Sequence, residues 1–296
     1  MTVRSIVKPY IETITKVKSI RLPLRFLSRS GLLPYYIYSR LTYEGIFVVR
    51  LEDGKSFKYS TSKDDVIGRI LYWRALKSWE SETIPVFYSL AKKARLVIDI
   101  GANCGIYTLL ACAANSESRI ICFEPAPTTC SQLSKNIGIN NWECRCDVRS
   151  EAVSDYDGYS KFHIPFSDTY TSCSSLNPEG HRGIDGYLIE VPIIRIDSLD
   201  LGDQKVDLIK LDIENFEDKA LKGMEMTLQR SCPDIIIECL YDGPYERVNN
   251  ILAGLGYSFF HLVPTGPKQI DKIVTAKDDC CANYLCTIDR FLRKLN

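Results

Sequence analysis

The sequence predicts an α/β protein: a mostly parallel sheet flanked by helices, with an antiparallel edge and an N-terminal extension of short helices and a β-hairpin. Three observations predict it. Short apolar runs at residues 96–100, 120–123, 206–213 and 235–239 alternate with helix-like segments, as strands buried on both faces and joined by crossover helices do. Two late runs, at 257–263 and 284–288, have little helix between them, which fits an antiparallel pair closing one edge. Residues before the alternation read differently, so the chain divides into an extension over 1–78 and a main domain over 79–296.

The elements follow in order. Residues 1–40 form a basic arm, with Arg4, Lys8, Lys16, Lys18, Arg21, Arg25, Arg29 and Arg40 against the single acid Glu12, and are broken at Pro23, Gly31 and Pro34 into short helices. Two readings of that arm stay open: a charged helical face packed on the rest of the chain, or peripheral contact with an anionic membrane or glycolipid. Strand-like runs at 46–51 and 56–60 flank Asp53-Gly54, whose glycine supplies the positive φ of a hairpin turn. Residues 64–93 read as helical, with Ile67, Ile70, Leu71, Trp73, Leu76 and Trp79 at helical spacing. The stretch 155–190, rich in Ser, Gly, Asp, Tyr and Pro, interrupts the alternation and reads as a long polar loop.

Composition narrows the function classes. The 37 basic and 37 acidic residues of the 296 cancel, which leaves no global field to gather a polyanion, so nucleic acid is not expected as a partner. No run approaches the roughly 18 apolar residues of a bilayer span, and the N-terminus lacks the apolar core of a signal peptide; a cytoplasmic location is expected. The twelve cysteines include Cys104, Cys112, Cys122 and Cys239 in apolar or glycine-loop positions, which reads as reduced, buried thiols. Neither Cys144 with Cys146 nor Cys280 with Cys281 has zinc-knuckle spacing, and His163, His181 and His261 are the only histidines, so no structural metal site is expected, and a divalent metal cofactor is left open but not indicated.

The most informative segment is VIDIGANCGIYT at 97–108. A buried strand ends at Asp99, a turn with Gly101 and Gly105 lets backbone approach a ligand, and an apolar helix starts near Gly105. A pyrophosphate site would want G-x-G-x-x-G, whereas this loop opens on a carboxylate. An acid there suits S-adenosylmethionine, which carries an ammonium and a sulfonium and no phosphate. Nineteen residues after Gly105, Glu124 ends the run Ile120-Ile121-Cys122-Phe123 and precedes Pro125; an acid at that strand tip can accept the ribose hydroxyls of an adenosine. The segment VDLIKLDIENF at 206–216 reads as a buried strand that delivers two further carboxylates, Asp212 and Glu214, to its C-terminal end, where residues two apart share a face.

These segments resemble the FkbM family of S-adenosylmethionine-dependent methyltransferases. The likeness rests on VIDIGANCGIYT, FEPAP at 123–127, EAVSD at 151–155, VDLIKLDIENFEDKALKGM at 206–224 and PDIIIEC at 233–239, in the family's order and spacing over about residues 79–240. It implies a Rossmann-like class I methyltransferase fold with a seven-stranded sheet, S-adenosylmethionine as cofactor and S-adenosylhomocysteine as product. Asp99, Gly101, Ala102, Asn103 and Gly105 would surround the methionine part, Glu124 and Pro125 the ribose, and Glu151 and Ala152 the adenine. Glu80, in the Trp79-Glu80-Ser81-Glu82 segment, would reach the amino-acid end, and Asp212 would border the cofactor. The family's D-V-E-G motif has glycine where this chain has Asn215, the best non-glycine substitute at a positive φ.

The acceptor the resemblance implies is a hydroxyl of a sugar, glycan or glycoconjugate. Asp212 and Glu214 are the candidates for taking or orienting the hydroxyl proton, with Glu238 at the next strand tip in reserve. His163 is a further candidate base, although a lone loop histidine is more often solvated, and His261 in Phe259-Phe260-His261-Leu262 reads as a core residue. Ser172, Ser174 and Ser175 either line the acceptor side or belong to a flexible polar loop. Methylation of another small metabolite or of RNA, and a binding protein without turnover, are the alternatives.

Overall fold

The computed structural model describes residues 17–38, 40–63, 65–166, 174–176, 185–277 and 282–288, and the chain falls into two compact units, Met1–Ser81 and Glu82–Asn296.

The first unit opens with helices α1 (Lys18–Arg29) and α2 (Tyr35–Tyr38). Pro23 lies inside α1 and does not break it; the helix forgoes one i→i−4 hydrogen bond there. The arginines of α1 pack on their own unit: Arg25 Nε donates to the Tyr72 carbonyl at 2.9 Å, Arg29 Nη2 donates to the same carbonyl at 3.1 Å, and Arg21 lies 5.0 Å from the centre of the Tyr43 ring. Arg4, Lys8 and Lys16 lie outside the described residues. The expected hairpin forms from β1 (Gly45–Arg50) and β2 (Ser56–Thr61), with Gly54 at φ 84° in the turn. Asp65 then caps α3 (Val66–Arg74), its Oδ1 accepting from the Gly68 amide at 2.8 Å. The helix expected over 64–93 is not continuous: it stops at Ala75, whose φ of 68° is left-handed.

The second unit resumes with α4 (Thr83–Ala91) and builds on an eight-stranded sheet. Its strands are β3 (Leu96–Ile100), β4 (Arg119–Phe123), β5 (Cys146–Arg149), then after a separate small sheet β9 (Leu208–Leu211), β10 (Asp234–Glu238), β11 (Tyr257–Val263), β12 (Gly266–Ile270) and β13 (Asn283–Ile288). Their spatial order is β5-β4-β3-β9-β10-β13-β11-β12. The first five are parallel, while β13 runs antiparallel to both β10 and β11. The sheet has one strand more than the seven expected because β12 folds back on β11 as a hairpin. Helices α5 (Ile106–Ala114), α6 (Pro127–Gly138), α7 (Glu217–Lys222), α8 (Glu225–Ser231) and α9 (Tyr245–Gly254) complete the layers. Residues such as Ile98, Ile209, Ile235, Ile236 and Ile237 have no exposed surface, which is why the strands read as unbroken apolar runs.

Strand order reverses at β3: β4 and β5 lie to one side, β9 and β10 to the other. The crevice at the C-terminal ends of strands flanking such a switch point is where open α/β sheets bind ligands.

The described part of the stretch 155–190 is mostly strand, not loop. It holds β7 (Gly158–Pro165) and the start of β8 (Gly186–Ile194), an antiparallel pair joined by the short β6 (Ala152–Val153). Phe162, Val191 and Ile193 supply its buried side and pack with Ala126, Ala152 and Leu176 in a second small core. The sequence concealed this because the outward residues are Gly, Tyr, Ser and Lys and so dominate the composition. Among the described cysteines all are free, and Cys104, Cys112, Cys122, Cys239 and Cys286 are buried. Among the described residues no helix is long and apolar enough to cross a membrane.

Candidate active site

The loop after β3 is shaped by backbone needs that only particular residues meet. Gly101 has φ 80°, and a Cβ there would run into the carbonyl oxygen of Asp212. The amides of Gly101 and Ala102 both donate to the Phe123 carbonyl at 3.0 and 2.9 Å, tying the loop to the tip of β4. Asn103 takes φ 50° and its Oδ1 accepts from the Cys104 amide at 2.7 Å. Gly105, at φ 94°, starts α5.

Asp99, the last residue but one of β3, faces α5. It is buried, Thr108 Oγ1 donates to its Oδ2 at 2.6 Å, and its Oδ1 is buried with no hydrogen-bond partner among the described residues. Burial pushes its carboxyl up to about 6, against the opposing pull of Thr108 and Lys210. Glu124, also buried, is oriented by two backbone donors: Asn103 N to Oε2 and Ala126 N to Oε1, each at 2.9 Å. Burial raises it to about 7. Pro125 is half-buried and follows directly. Glu151, just past β5, pairs with Arg149 Nη2 at 2.7 Å, and Ala152 is buried in β6. Glu80 belongs to the first unit, at φ 39°.

The two carboxylates after β9 meet, but not by strand alternation. β9 ends at Leu211; Glu214 and Asn215 both take left-handed backbone, φ 56° and 75°, so the chain turns sharply there. Glu217 makes the turn possible, its Oε1 accepting from the amides of Ile213 and Asn215 at 3.3 and 3.1 Å. That turn, with the tip of β10, brings carboxylate oxygens of Asp212, Glu214 and Glu238 within 4.8 Å of one another. Burial first, and then the charge of Asp212, holds Glu238 well above the usual carboxylate range. A divalent cation could bridge oxygens at such spacing, but Lys210 already brings a positive charge to the group.

Lys210 escaped the sequence reading. It is 1% exposed, stands beside Asp99 in the ladder of β3 and β9, and its Nζ donates to Asp212 Oδ2 at 3.0 Å and to Asn283 Oδ1 at 3.3 Å. Tyr107 lies under it, 5.0 Å from ring centre to Nζ. Glu217 and Thr108 were missed likewise. For Lys210 a signal was available, a lysine inside the apolar run Leu208-Ile209-Lys210-Leu211, since lysine is almost never fully buried without a partner.

The sequence's other candidates move. His163 is not a solvated loop residue: it lies on β7, is 4% exposed, exchanges backbone hydrogen bonds with Ser175 and has a buried Nδ1 without a partner among the described residues. Ser175 Oγ donates to the Glu214 carbonyl at 3.2 Å, so this strand reaches the turn after β9. Ser174 Oγ is buried, and Ser172 lies outside the described residues. His261 is half-buried on β11 and stacks on Tyr284 at 4.8 Å.

A parallel sheet with a switch point, a glycine turn tied to the tip of β4, and acids at four successive strand ends define a class I methyltransferase. The family follows from a model match: residues 99–259 fit the Methyltransferase FkbM domain, just over half of the chain, and the chain belongs to that family. It is therefore an S-adenosylmethionine-dependent methyltransferase. Among relatives, the chain is 26% identical over 200 residues to the 2-O-methyltransferase NoeI of Sinorhizobium fredii, covering 62% of this chain and 79% of that one. It is 23% identical over 179 residues to Methyltransferase 1 of Beauveria bassiana, covering 55% and 72%. The solved Methyltransferase FkbM of Methylobacillus flagellatus aligns with a TM-score of 0.41 at 16% identity, over 66% of this chain and 43% of that chain.

Proposed function

We propose that the protein is an O-methyltransferase that transfers the methyl group of S-adenosylmethionine to a hydroxyl of a sugar, glycan or glycoconjugate. The observation that carries the reading is the meeting of Asp212, Glu214 and Glu238 within 4.8 Å at the ends of β9 and β10, next to the glycine turn after β3. The relative named a 2-O-methyltransferase supports transfer to oxygen.

The residues around β3 and β4 fit the cofactor. Asp99 Oδ1 is a buried acceptor lacking a donor, which suits an ammonium or an amide-sized donor from a ligand. Glu124, fixed by two amides, keeps lone pairs for ribose hydroxyls. Gly101, Ala102, Asn103 and Gly105 bring backbone within reach, while Pro125, Glu151 and Ala152 would border the base. When bound, S-adenosylmethionine supplies an electrophilic methyl on sulfur, so the protein's task is alignment plus removal of one proton.

The three acids divide that task. Lys210 holds Asp212 in place through its ammonium, which fits Asp212 for orienting the acceptor hydroxyl. Glu238 is the best proton acceptor, because burial and the neighbouring charge make its carboxyl a stronger base than an exposed one. Glu214, in the strained turn, holds the acceptor's other side. Incubation with labelled S-adenosylmethionine and panels of glycans, lipids and RNA tests the reading: label is expected on glycan oxygen. Label on RNA or lipid alone, or intact cofactor binding with no transfer to any panel member, would reject it.

A further inference from the structure

The neutrality of the whole chain conceals an imbalance between its two units. Fifteen basic and seven acidic residues fall in Met1–Ser81, so the first unit carries a surplus of eight positive charges and the second an equal deficit. Asymmetry of that size points the first unit toward an anionic partner.

Three of those positive charges meet at one cavity inside the first unit. It has a volume of about 320 Å³ and is lined by Arg25 and Arg29 of α1, Val48 and Arg50 of β1, and Leu71 and Ala75 at the end of α3, with no carboxylate in its wall. Arg25 spends its Nε on the Tyr72 carbonyl at 2.9 Å, and Arg29 spends its Nη2 on the carbonyls of Leu71 and Tyr72. The remaining N–H groups of both, and the whole guanidinium of Arg50, have no partner among the described residues. Burial first, and then the neighbouring charge of Arg25, hold Arg29 below the usual arginine range, as expected of adjacent like charges without a counterion. Guanidinium forks bind phosphate oxygens in pairs, so three of them around one cavity suit a phosphate group.

The surroundings of the cavity narrow the source of that phosphate. Leu22 and Phe26 stand three residues before Arg25 and Arg29 on α1, hence beside them on the helix surface, and are 50% and 70% exposed. Ile46 and Val48 precede Arg50 at two-residue spacing on β1, share its face, and are 52% and 46% exposed. A soluble phosphate ester leaves these side chains in water. Nucleic acid binds through stacking rings, and Phe26 is the one ring among the four. A phospholipid surface alone sets phosphate beside hydrocarbon, which matches guanidiniums flanked by exposed apolar side chains.

We propose that the first unit docks on an anionic phospholipid surface, with Arg25, Arg29 and Arg50 taking a lipid phosphate in their cavity while Leu22, Phe26, Ile46 and Val48 enter the acyl boundary around it. The proposal concerns the first unit and is independent of the acceptor that is methylated. Flotation of the full chain with vesicles of phosphatidylcholine, alone or mixed with phosphatidylglycerol, tests it, with glycerol 3-phosphate and single-stranded RNA as soluble competitors. Wild type is expected to float with the mixed vesicles and not with phosphatidylcholine alone, and the bound fraction should fall as salt is raised. Arg50→Gln should lower the partition coefficient about fivefold and Phe26→Ser about tenfold. Both side chains are exposed, so an unchanged melting temperature accompanies the loss. Lys63→Gln removes a charge of the same unit outside the cavity and should change the partition by less than about twofold. No flotation with the mixed vesicles, equal losses from Lys63→Gln and Arg50→Gln, or a Phe26→Ser protein that partitions like wild type overturns the proposal. So does release of the protein from the vesicles by RNA or by glycerol 3-phosphate, which would assign the cavity to nucleic acid or to a soluble ester.

Discussion

Affinity for S-adenosylmethionine should climb steeply with pH, because the two acids proposed to receive it are buried. Burial raises Glu124 from an ordinary 4.5 to about 7 and Asp99 from 3.8 to about 6. If binding requires both as carboxylates, each contributes a factor of one plus ten to the power of its pKa minus the pH. Between pH 8 and pH 5 that is about 90-fold for Glu124 and about 11-fold for Asp99, together about a thousandfold or about 4 kcal/mol. The sign for folding alone is opposite. A carboxyl with a raised pKa binds its proton more tightly folded than unfolded, so its effect on stability turns unfavourable as pH rises from its ordinary value and levels off above the raised one. For Glu124 that is about 3 kcal/mol lost between roughly pH 4.5 and 7. The cofactor's thermal stabilisation should therefore be greatest near pH 8, where the ligand-free fold is weakest. Calorimetric titration at pH 5, 6, 7 and 8, in two buffers of different protonation enthalpy, reads both affinity and proton release. Glu124→Gln should lose the larger part of the slope and leave the part belonging to Asp99. Affinity flat within about threefold across the range, or proton uptake on binding, refutes the reasoning.

Further outcomes are expected. Glu238→Gln should lower kcat by about 10² to 10⁴ with cofactor affinity unchanged, measured by single-turnover methyl transfer. Lys210→Met removes one partner of an ion pair whose other side chain, Asp212, is 27% exposed; the discount for that exposure brings the loss of stability to about 1–3 kcal/mol by denaturant unfolding. Adding Asp212→Asn to that variant should cost far less than the two changes summed, since they share one interaction. Gly101→Ala drives a methyl into the Asp212 carbonyl from a left-handed backbone, and should both lower the melting temperature and weaken cofactor binding more than tenfold. Chelation with EDTA should leave turnover unchanged, because the Lys210 ammonium already brings a positive charge to the acid group; activity lost to EDTA and restored by magnesium would place a metal there.

What the sequence made legible was local. Buried strands announced themselves as apolar runs, the turn after Asp99 as two glycines at fixed spacing, and the positive φ of Asn215 as the residue best able to replace glycine. What it concealed depends on contacts between distant residues. The β7–β8 pair hides behind a polar composition, since Phe162, Val191 and Ile193 are buried in the small core while Gly, Tyr, Ser, Lys and Glu make up much of the rest. Asp212 and Glu214 were expected to share a strand face, yet the strand ends before either, and Glu217 bends the chain instead. Lys210 is the clearest case, because composition places lysine on the surface and only the ladder with β3 and the arrival of Asn283 from β13 give it partners.

Those concealed residues also separate scaffold from chemistry. A sheet that needed only a core would carry Val, Ile and Leu where Asp99, Lys210, Glu238 and Asn283 stand on one continuous face, and the fold would be the more stable for it. Asp99, Glu124, Glu217 and Glu238 all sit where burial opposes their charge, and one ammonium answers for the acids of that face. Such a concentration of costly groups at the strand ends, beside a sheet otherwise filled with apolar side chains, is intelligible when the missing compensation arrives with a cationic cofactor and a hydroxyl donor. The pH titration of cofactor affinity measures that compensation directly.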